Sequence, residues 1–514
     1  MAGGAGLLAA VWAFGSAAGP SSVRPSAPAP PLAAERVEIA KPARARFGRG
    51  EVLIDAAERT GPPPSKLRVH GEARLSLGFG AVLEDPTAAL TPAVAIDLRE
   101  IAPVRFAFAV PLRLRMADRS PEDRGVLRLQ EWNEVGDYFA LLADFRYADA
   151  FAFGRTGRVT VRIDAGRQRD VQLGHGSLVR GWANSLDIDR RRTGVLASTV
   201  VGARLLDQPA DLALDVLVGD VAGSQILGSR LGLRWAGAGI GASVVGDPTA
   251  PRALVPQGDP SAFAIGRGGA LQSSGKRGVV ATSLDFEYRG GDGWRWSVGP
   301  YVDLDLLASL GKGAHVGADG EVLLGRRRGL MLGATAELTV GSSGYDPAYF
   351  DVFYAAQRWQ TPPLGRPSDA ADDSTAVLSP KYAFVRDQVP KGVGGMGALR
   401  MSHRTGATAR FEYRARPGPF GHTSALLVGV ELAQVGLFAR FAHRGHKHGF
   451  EPKLAGTLAQ IELRVPVIRY LDVEVSAGWT YAIRPDTRTG ADAGGGFLTG
   501  GGYALGGVAG KIPW

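Results

Sequence analysis

Taken in steps of two, the stretch from Val104 to Met116 separates cleanly. Val104, Phe106, Phe108, Val110, Leu112, Leu114 and Met116 are large and apolar, while Arg105, Ala107, Ala109, Pro111, Arg113 and Arg115 are small or cationic. Successive side chains of a β-strand point to opposite faces, so this alternation predicts one strand with a greasy side and a wet side. At about 3.3 Å per residue it reaches roughly 40 Å. Strands of soluble proteins usually stop at about 5–6 residues, whereas a tilted strand needs about 9–11 to cross a bilayer.

The period recurs from Leu67 to the end of the chain. Leu75, Leu77 and Phe79 oppose Arg74 and Ser76. Val159, Val161 and Ile163 oppose Arg158, Arg162 and Asp164. Leu284 and Phe286 oppose Asp285 and Glu287, and Val473, Val475 and Trp479 oppose Asp472 and Glu474. About 20 such segments, with a range of 18–22, fit into 67–514. The connections give a second signal, because they alternate in length. Long ones fall near 117–137, 166–193, 246–277, 341–393, 443–456 and 483–500, and short ones near 207–210, 289–293, 325–329, 403–407 and 468–470. Long loops at one end and tight turns at the other are the layout of membrane barrels, and the parity puts both chain ends on the tight-turn, periplasmic side. The fold expected is all-β: a closed antiparallel transmembrane β-barrel over residues 67–514. A soluble two-layer β protein would also alternate, but with shorter strands and no parity in its loops.

Upstream of the barrel the pattern changes. Leu7 to Phe14 form an apolar core followed by the small residues Ser16, Ala17 and Ala18, so residues 1–18 are expected to be a signal peptide for export. Residues 19–66 are rich in Pro, Ala and Arg and are expected to be a periplasmic linker. Past the N-terminus no apolar run approaches the 18 or so residues of a membrane helix, so any crossing is made by strands.

Composition narrows the chemistry. There is no Cys, which removes disulfide scaffolds, thiolate metal sites and cysteine nucleophiles. The net charge of +9 is spread along the chain without a basic block, so nucleic-acid binding is not expected.

The chain closes on an aromatic residue, Trp514, and counting back by twos gives Ile512, Gly510, Val508, Gly506 and Ala504. This resembles the last strand of Gram-negative outer-membrane, porin-like β-barrels, although Pro513 and Lys511 depart from that pattern. The resemblance implies a place in the cell outer membrane, in contact with its lipid and lipopolysaccharide. It also implies insertion by the barrel-assembly machinery through the strand ending at Trp514.

In such a barrel the polar face lines the lumen. Arg105, Arg113, Arg115, Arg158, Arg162, Arg410, Glu412, Arg414 and Arg464 are the candidate pore-lining residues. Cationic rings favour anions, whereas the plainer expectation is that these charges pair across neighbouring strands. The connection 341–393 is unusually aromatic. It suits a segment folded into the lumen as a constriction, with Tyr349, Asp351, Tyr354 and Arg358 at its centre.

Enzyme-like signals are thin. His175, Ser177 and Asn184 resemble the residue set of the outer-membrane phospholipase, but they lie within one loop. His443, Arg444, His446, Lys447 and His448 group imidazoles with repelling cations, which suits an exposed polar loop better than a metal site. No catalytic residue, metal or cofactor is therefore expected. The function expected is passive diffusion of small polar or anionic solutes through a charged lumen. The alternatives are a non-conducting structural or adhesin barrel and a lipid-modifying barrel enzyme.

Overall fold

The computed structural model describes residues 68–513 apart from 81–86, 99–101, 117–131, 133–134, 154–156, 186–191, 254, 258, 264–272, 292–294, 326–328, 359–379, 419–420, 447–456, 469 and 482–499. The expected signal peptide, linker and Trp514 lie outside the described residues.

Twenty strands, each antiparallel to its neighbours, form one closed sheet. Closure is made by the first strand, Arg68–Gly80, and the last, Gly500–Pro513, which pair from His70 opposite Pro513 to Gly80 opposite Tyr503. Two of the twenty are broken once. The long zigzag from Val104 divides into Val104–Ala109 and Leu112–Arg115, because Pro111 has no N–H for the ladder, and its register slips at Ala107/Phe108. The second break separates Val279–Tyr288 from Gly290–Gly291.

The alternation of the sequence becomes the two faces of the wall. In Trp296–Leu307 every other residue is buried: Ser297, Tyr301, Asp303, Asp305 and Leu307 face inward, while Val298, Val302, Leu304 and Leu306 are exposed outside. Leu75, Leu231, Leu284, Leu338, Leu399 and Val475 continue that apolar outer belt around the circumference. Soluble proteins rarely expose contiguous apolar patches beyond a few hundred Å². A closed sheet leaves no unpaired edge, so the belt can sit in hydrocarbon without a buried backbone penalty.

Connections at one end of the barrel are two to six residues long. One of the tightest joins Leu205 to Gln208 through Leu206 and Asp207, both at positive φ (52° and 61°), the geometry that matches a two-residue turn to strand twist. All long connections leave the other end, and both termini of the barrel lie at the short-turn end. One correction concerns the His-rich stretch near 443. Residues 443–446 are not an exposed loop: they end the strand Leu437–His446, with His443 and Arg444 both buried, while Lys447 and His448 lie outside the described residues.

Candidate functional site in the barrel lumen

Two of the long connections do not stay outside. Residues 167–185 follow the strand Gly157–Gly166 and fold back into the cylinder, turning at Gly174, Gly176 and Gly181, which all take positive φ (56°, 89° and 66°). Residues 342–358 and the helix Lys381–Gln388 follow Leu330–Gly341 and do the same. The two segments join by a short parallel ladder, Phe350 opposite Val179 and Asp351 opposite Arg180. Ala348 N and Phe350 N donate to Ser177 O (2.6 Å) and Leu178 O (3.0 Å).

Together they build an apolar core inside the barrel. Leu173, Leu178, Val179, Trp182, Tyr349, Phe350 and Tyr354 pack on Leu217, Val245, Val279 and Leu307, which point inward from the wall. Apolar burial drives this assembly, and its rim is fastened by charge. Tyr354 Oη donates to Asp247 (2.8 Å), and Arg358 Nε donates to the same carboxylate (2.6 Å). Asp351 accepts from Arg444 (2.6 Å) and Arg414 (3.2 Å). Lys381 Nζ donates to Tyr349 O (2.5 Å) and lies 3.3 Å from Asp346. Burial pushes the Lys381 ammonium down to about 8 despite the opposing pull of Asp346 and Asp351.

All four residues expected at a constriction, Tyr349, Asp351, Tyr354 and Arg358, are thus buried inside the cylinder. The inward turn of 167–185 was not legible in the sequence. His175 Nδ1 lies 2.7 Å from Asp303 and its ring stacks on Tyr301. Burial opposes its charge, but hydrogen bonds to Asp303 and Glu287 prevail and raise it to about 9. Ser177 Oγ donates to Asp305 (3.0 Å), and Asn184 Oδ1 accepts from Gln168 N (2.8 Å). Each of the three phospholipase-like residues is therefore engaged with a different partner, and the two glycines around His175 serve a turn.

The inner segments divide the lumen. On the filled side Arg410, Glu412 and Arg414 lie beneath them: Arg410 pairs with Asp170 and Glu412, and Arg414 with Glu412 and Asp351. On the other side, along the strands Arg68–Gly80, Leu142–Phe153, Gly157–Gly166, Thr457–Ile468 and Leu471–Tyr481, the inward charges reach water. Arg105 pairs with Asp144, Arg162 with Asp164, and Arg464 with Glu72, Asp472 and Glu474. Arg113 is buried, Arg158 half-buried, and the Arg115 side chain lies outside the described residues. Pairing across strands therefore prevails, but it is lopsided. Arg146 is 61% exposed against 27% for its partner Asp144, Arg74 40% against 18% for Glu72, and Arg169 37% against 22% for Glu462. In each ion pair of this side, among the described residues, the arginine is the more exposed member. Arg146, Arg167, Arg169 and Arg440 were not singled out from sequence. Arg440 and Arg444 continue the zigzag of Phe438 and Ala442, the signal that marks them as inward.

A closed twenty-strand wall, apolar without and charged within, defines a transmembrane β-barrel. No family profile and no curated protein sequence matches the chain. Among solved structures it is similar to the outer membrane protein opdK of Pseudomonas aeruginosa, at 10% identity over 87% of this chain and 99% of that one, with a TM-score of 0.31. It is also similar to a mutant ferric enterobactin receptor of the same organism in complex with enterobactin (9%, 87% and 82%, TM-score 0.35). A third neighbour is the siderophore receptor PirA of Acinetobacter baumannii (8%, 87% and 81%, TM-score 0.33).

Proposed function

We propose that the protein is a passive outer-membrane channel for small polar solutes, with a preference for anions. Its path runs along the open side of the lumen, between the inner segments and the strands carrying Arg74, Arg105, Arg146, Arg162 and Arg464. The observation that carries this reading is the unequal exposure within the ion pairs. A solute in that passage meets guanidinium groups before carboxylates, so the field it crosses is positive although the charges are nearly balanced. The segment holding Tyr349, Asp351, Tyr354 and Arg358 sets the width by filling the other side. The long-loop end faces outward, both termini face the periplasm, and the last strand is the one handed to the assembly machinery. No step of covalent chemistry is involved.

Purified protein in planar bilayers tests this. Stepwise conductance with a reversal potential displaced toward chloride under a KCl gradient supports the channel. A folded, heat-modifiable barrel that gives no steps supports the structural reading instead.

A further inference from the structure

Resting on that channel reading, we propose that Asp170 is an internal stand-in for the oxyanion group of a permeating solute. It occupies a cradle formed by Arg410 and Arg440, from which a carboxylate or phosphate group displaces it.

Three inward arginines stand on the strand Ala407–Gly418, and each receives an aspartate from the inner segments. Arg416 pairs with Asp346, Arg414 with Asp351, and Arg410 with Asp170. The rungs differ in one respect. Asp346 and Asp351 are shut away from water, whereas the Asp170 side chain is 42% exposed. Arg410 Nη1 donates to both Asp170 oxygens (2.5 and 2.7 Å), and Arg440 Nη2 approaches one of them at 3.4 Å. This is a two-guanidinium grip on a carboxylate, a charge-assisted arrangement that any oxyanion of similar shape satisfies.

A small, partly open pocket lies beside it, lined by Gln172, Arg180, Thr335, Arg400, Arg410 and Glu412 among others. A solute reaches the guanidinium that holds Asp170 from the exposed side of this carboxylate. The backbone on both sides of Asp170 is independently fixed: Gln168 N donates to Asn184 Oδ1, and Val171 and Trp182 exchange backbone hydrogen bonds (2.8 and 3.0 Å). Release of the aspartate needs a side-chain rotation and leaves the segment in place. An incoming carboxylate regains the same guanidinium contacts that Asp170 gives up, so one carboxylate exchanges for another at little cost.

The test is titration calorimetry of the full-length protein in detergent, with sodium acetate and inorganic phosphate as separate probes at constant ionic strength. Removing an internal competitor raises apparent affinity by the inverse of the fraction of time the site was free, so with Asp170 in place about nine-tenths of the time, Asp170→Asn is expected to bind about tenfold more tightly than the parent. Asp170→Glu should behave as the parent, and Arg410→Gln should lose binding in either background. Tighter binding of acetate alone assigns a carboxylate, of phosphate alone a phosphate, and of both a general oxyanion site. Asp170→Asn binding both probes as the parent does would overturn the proposal. If that variant does not fold, the decision passes to Arg440→Gln, where unchanged binding overturns it and weakened binding sustains it. Conductance of the same preparation is read separately: silent bilayers remove the channel, and an unchanged titration removes the subsite.

Discussion

Arg444 donates to Asp351 Oδ2 at 2.6 Å, and neither side chain is reached by water. The guanidinium belongs to the wall strand Leu437–His446 and the carboxylate to the segment folded inside it, so this contact ties lumen filling to cylinder. Asp351 also accepts from Arg414 and from Phe353 N (3.0 Å), and Lys381 lies 4.0 Å away. Removing one member of a buried pair strands the other and costs about 3–5 kcal/mol. The wall is closed by its own ladder, so Asp351→Asn should release the segment 342–358 and leave the barrel intact. Faster chymotrypsin cleavage near Tyr349, larger conductance steps and a retained heat-modifiable band are expected. Unchanged cleavage and unchanged steps would place the anchor elsewhere.

Gly313 and Gly341 make room for a single ring. A Cβ on either residue would overlap Tyr345, whose hydroxyl bridges His315 Nε2 (2.5 Å) and Asp305 (2.5 Å). Overpacking typically costs about 1–3 kcal/mol. Gly313→Ala should therefore expel Tyr345. In hydrogen exchange, the amide of Tyr345, which donates to Ser342 O (3.2 Å), should lose protection while strand amides keep theirs. Retained protection at Tyr345 would mean that the ring is accommodated after all.

The wall was legible because its rule is local: every second residue meets lipid, whatever the partner strand. The expected count of about 20 strands and the parity of the connections follow from that rule alone. The filling was less legible because it obeys no period. Val171, Leu173, Leu178, Val179 and Trp182 are spaced by turns at Gly174, Gly176 and Gly181, and they find partners only through the closed sheet. A trace was present nonetheless. At the long-loop ends of four wall strands both faces are apolar: Val216-Leu217-Val218, Val244-Val245, Val279-Val280-Ala281 and Leu306-Leu307. Alternation that fails toward apolar on the inner face marks a dry lumen, and those are the positions the inner segments cover. Asp351 and Arg358 were recognisable as charges in an aromatic loop. Asp170 was not, since its partners Arg410 and Arg440 lie 240 and 270 residues away.

His175 makes the first inner segment sensitive to pH. It faces Asp303 and Glu287 and stacks on Tyr301, and its folded value of about 9 lies above the ordinary 6.5. The stabilisation is complete below pH 6.5 and fades as pH rises through 9, by roughly 3 kcal/mol at most. Lys381 works the other way: lowered from 10.5 to about 8, it lets the second segment gain stability as pH climbs between those values. Hydrogen exchange at pH 6 and pH 9 should show the amide of Val171 opening at the higher pH, and His175→Gln should abolish the difference. Equal exchange at both values would detach His175 from the hold on this segment.

Arg146 tests the sign of the lumen field most directly, because it is the most exposed arginine of the open side and touches only Asp144 among the described ion pairs. Arg146→Glu reverses one charge in the passage. A change of two charge units felt across about 8 Å of water is worth roughly 1 kcal/mol for each ion, with opposite sign for chloride and potassium, which is about a thirtyfold change in their ratio. The reversal potential under a KCl gradient should therefore move toward potassium. The shift should be largest in dilute salt and nearly vanish toward 1 M, where the screening length falls to about 3 Å. The substitution removes a weak, exposed ion pair, so neither folding nor conductance in concentrated salt should change. A reversal potential that stays put in dilute salt would mean that ions do not pass along the strands bearing Arg74, Arg105 and Arg146. The path would then have to be sought beside Arg410 and the inner segments.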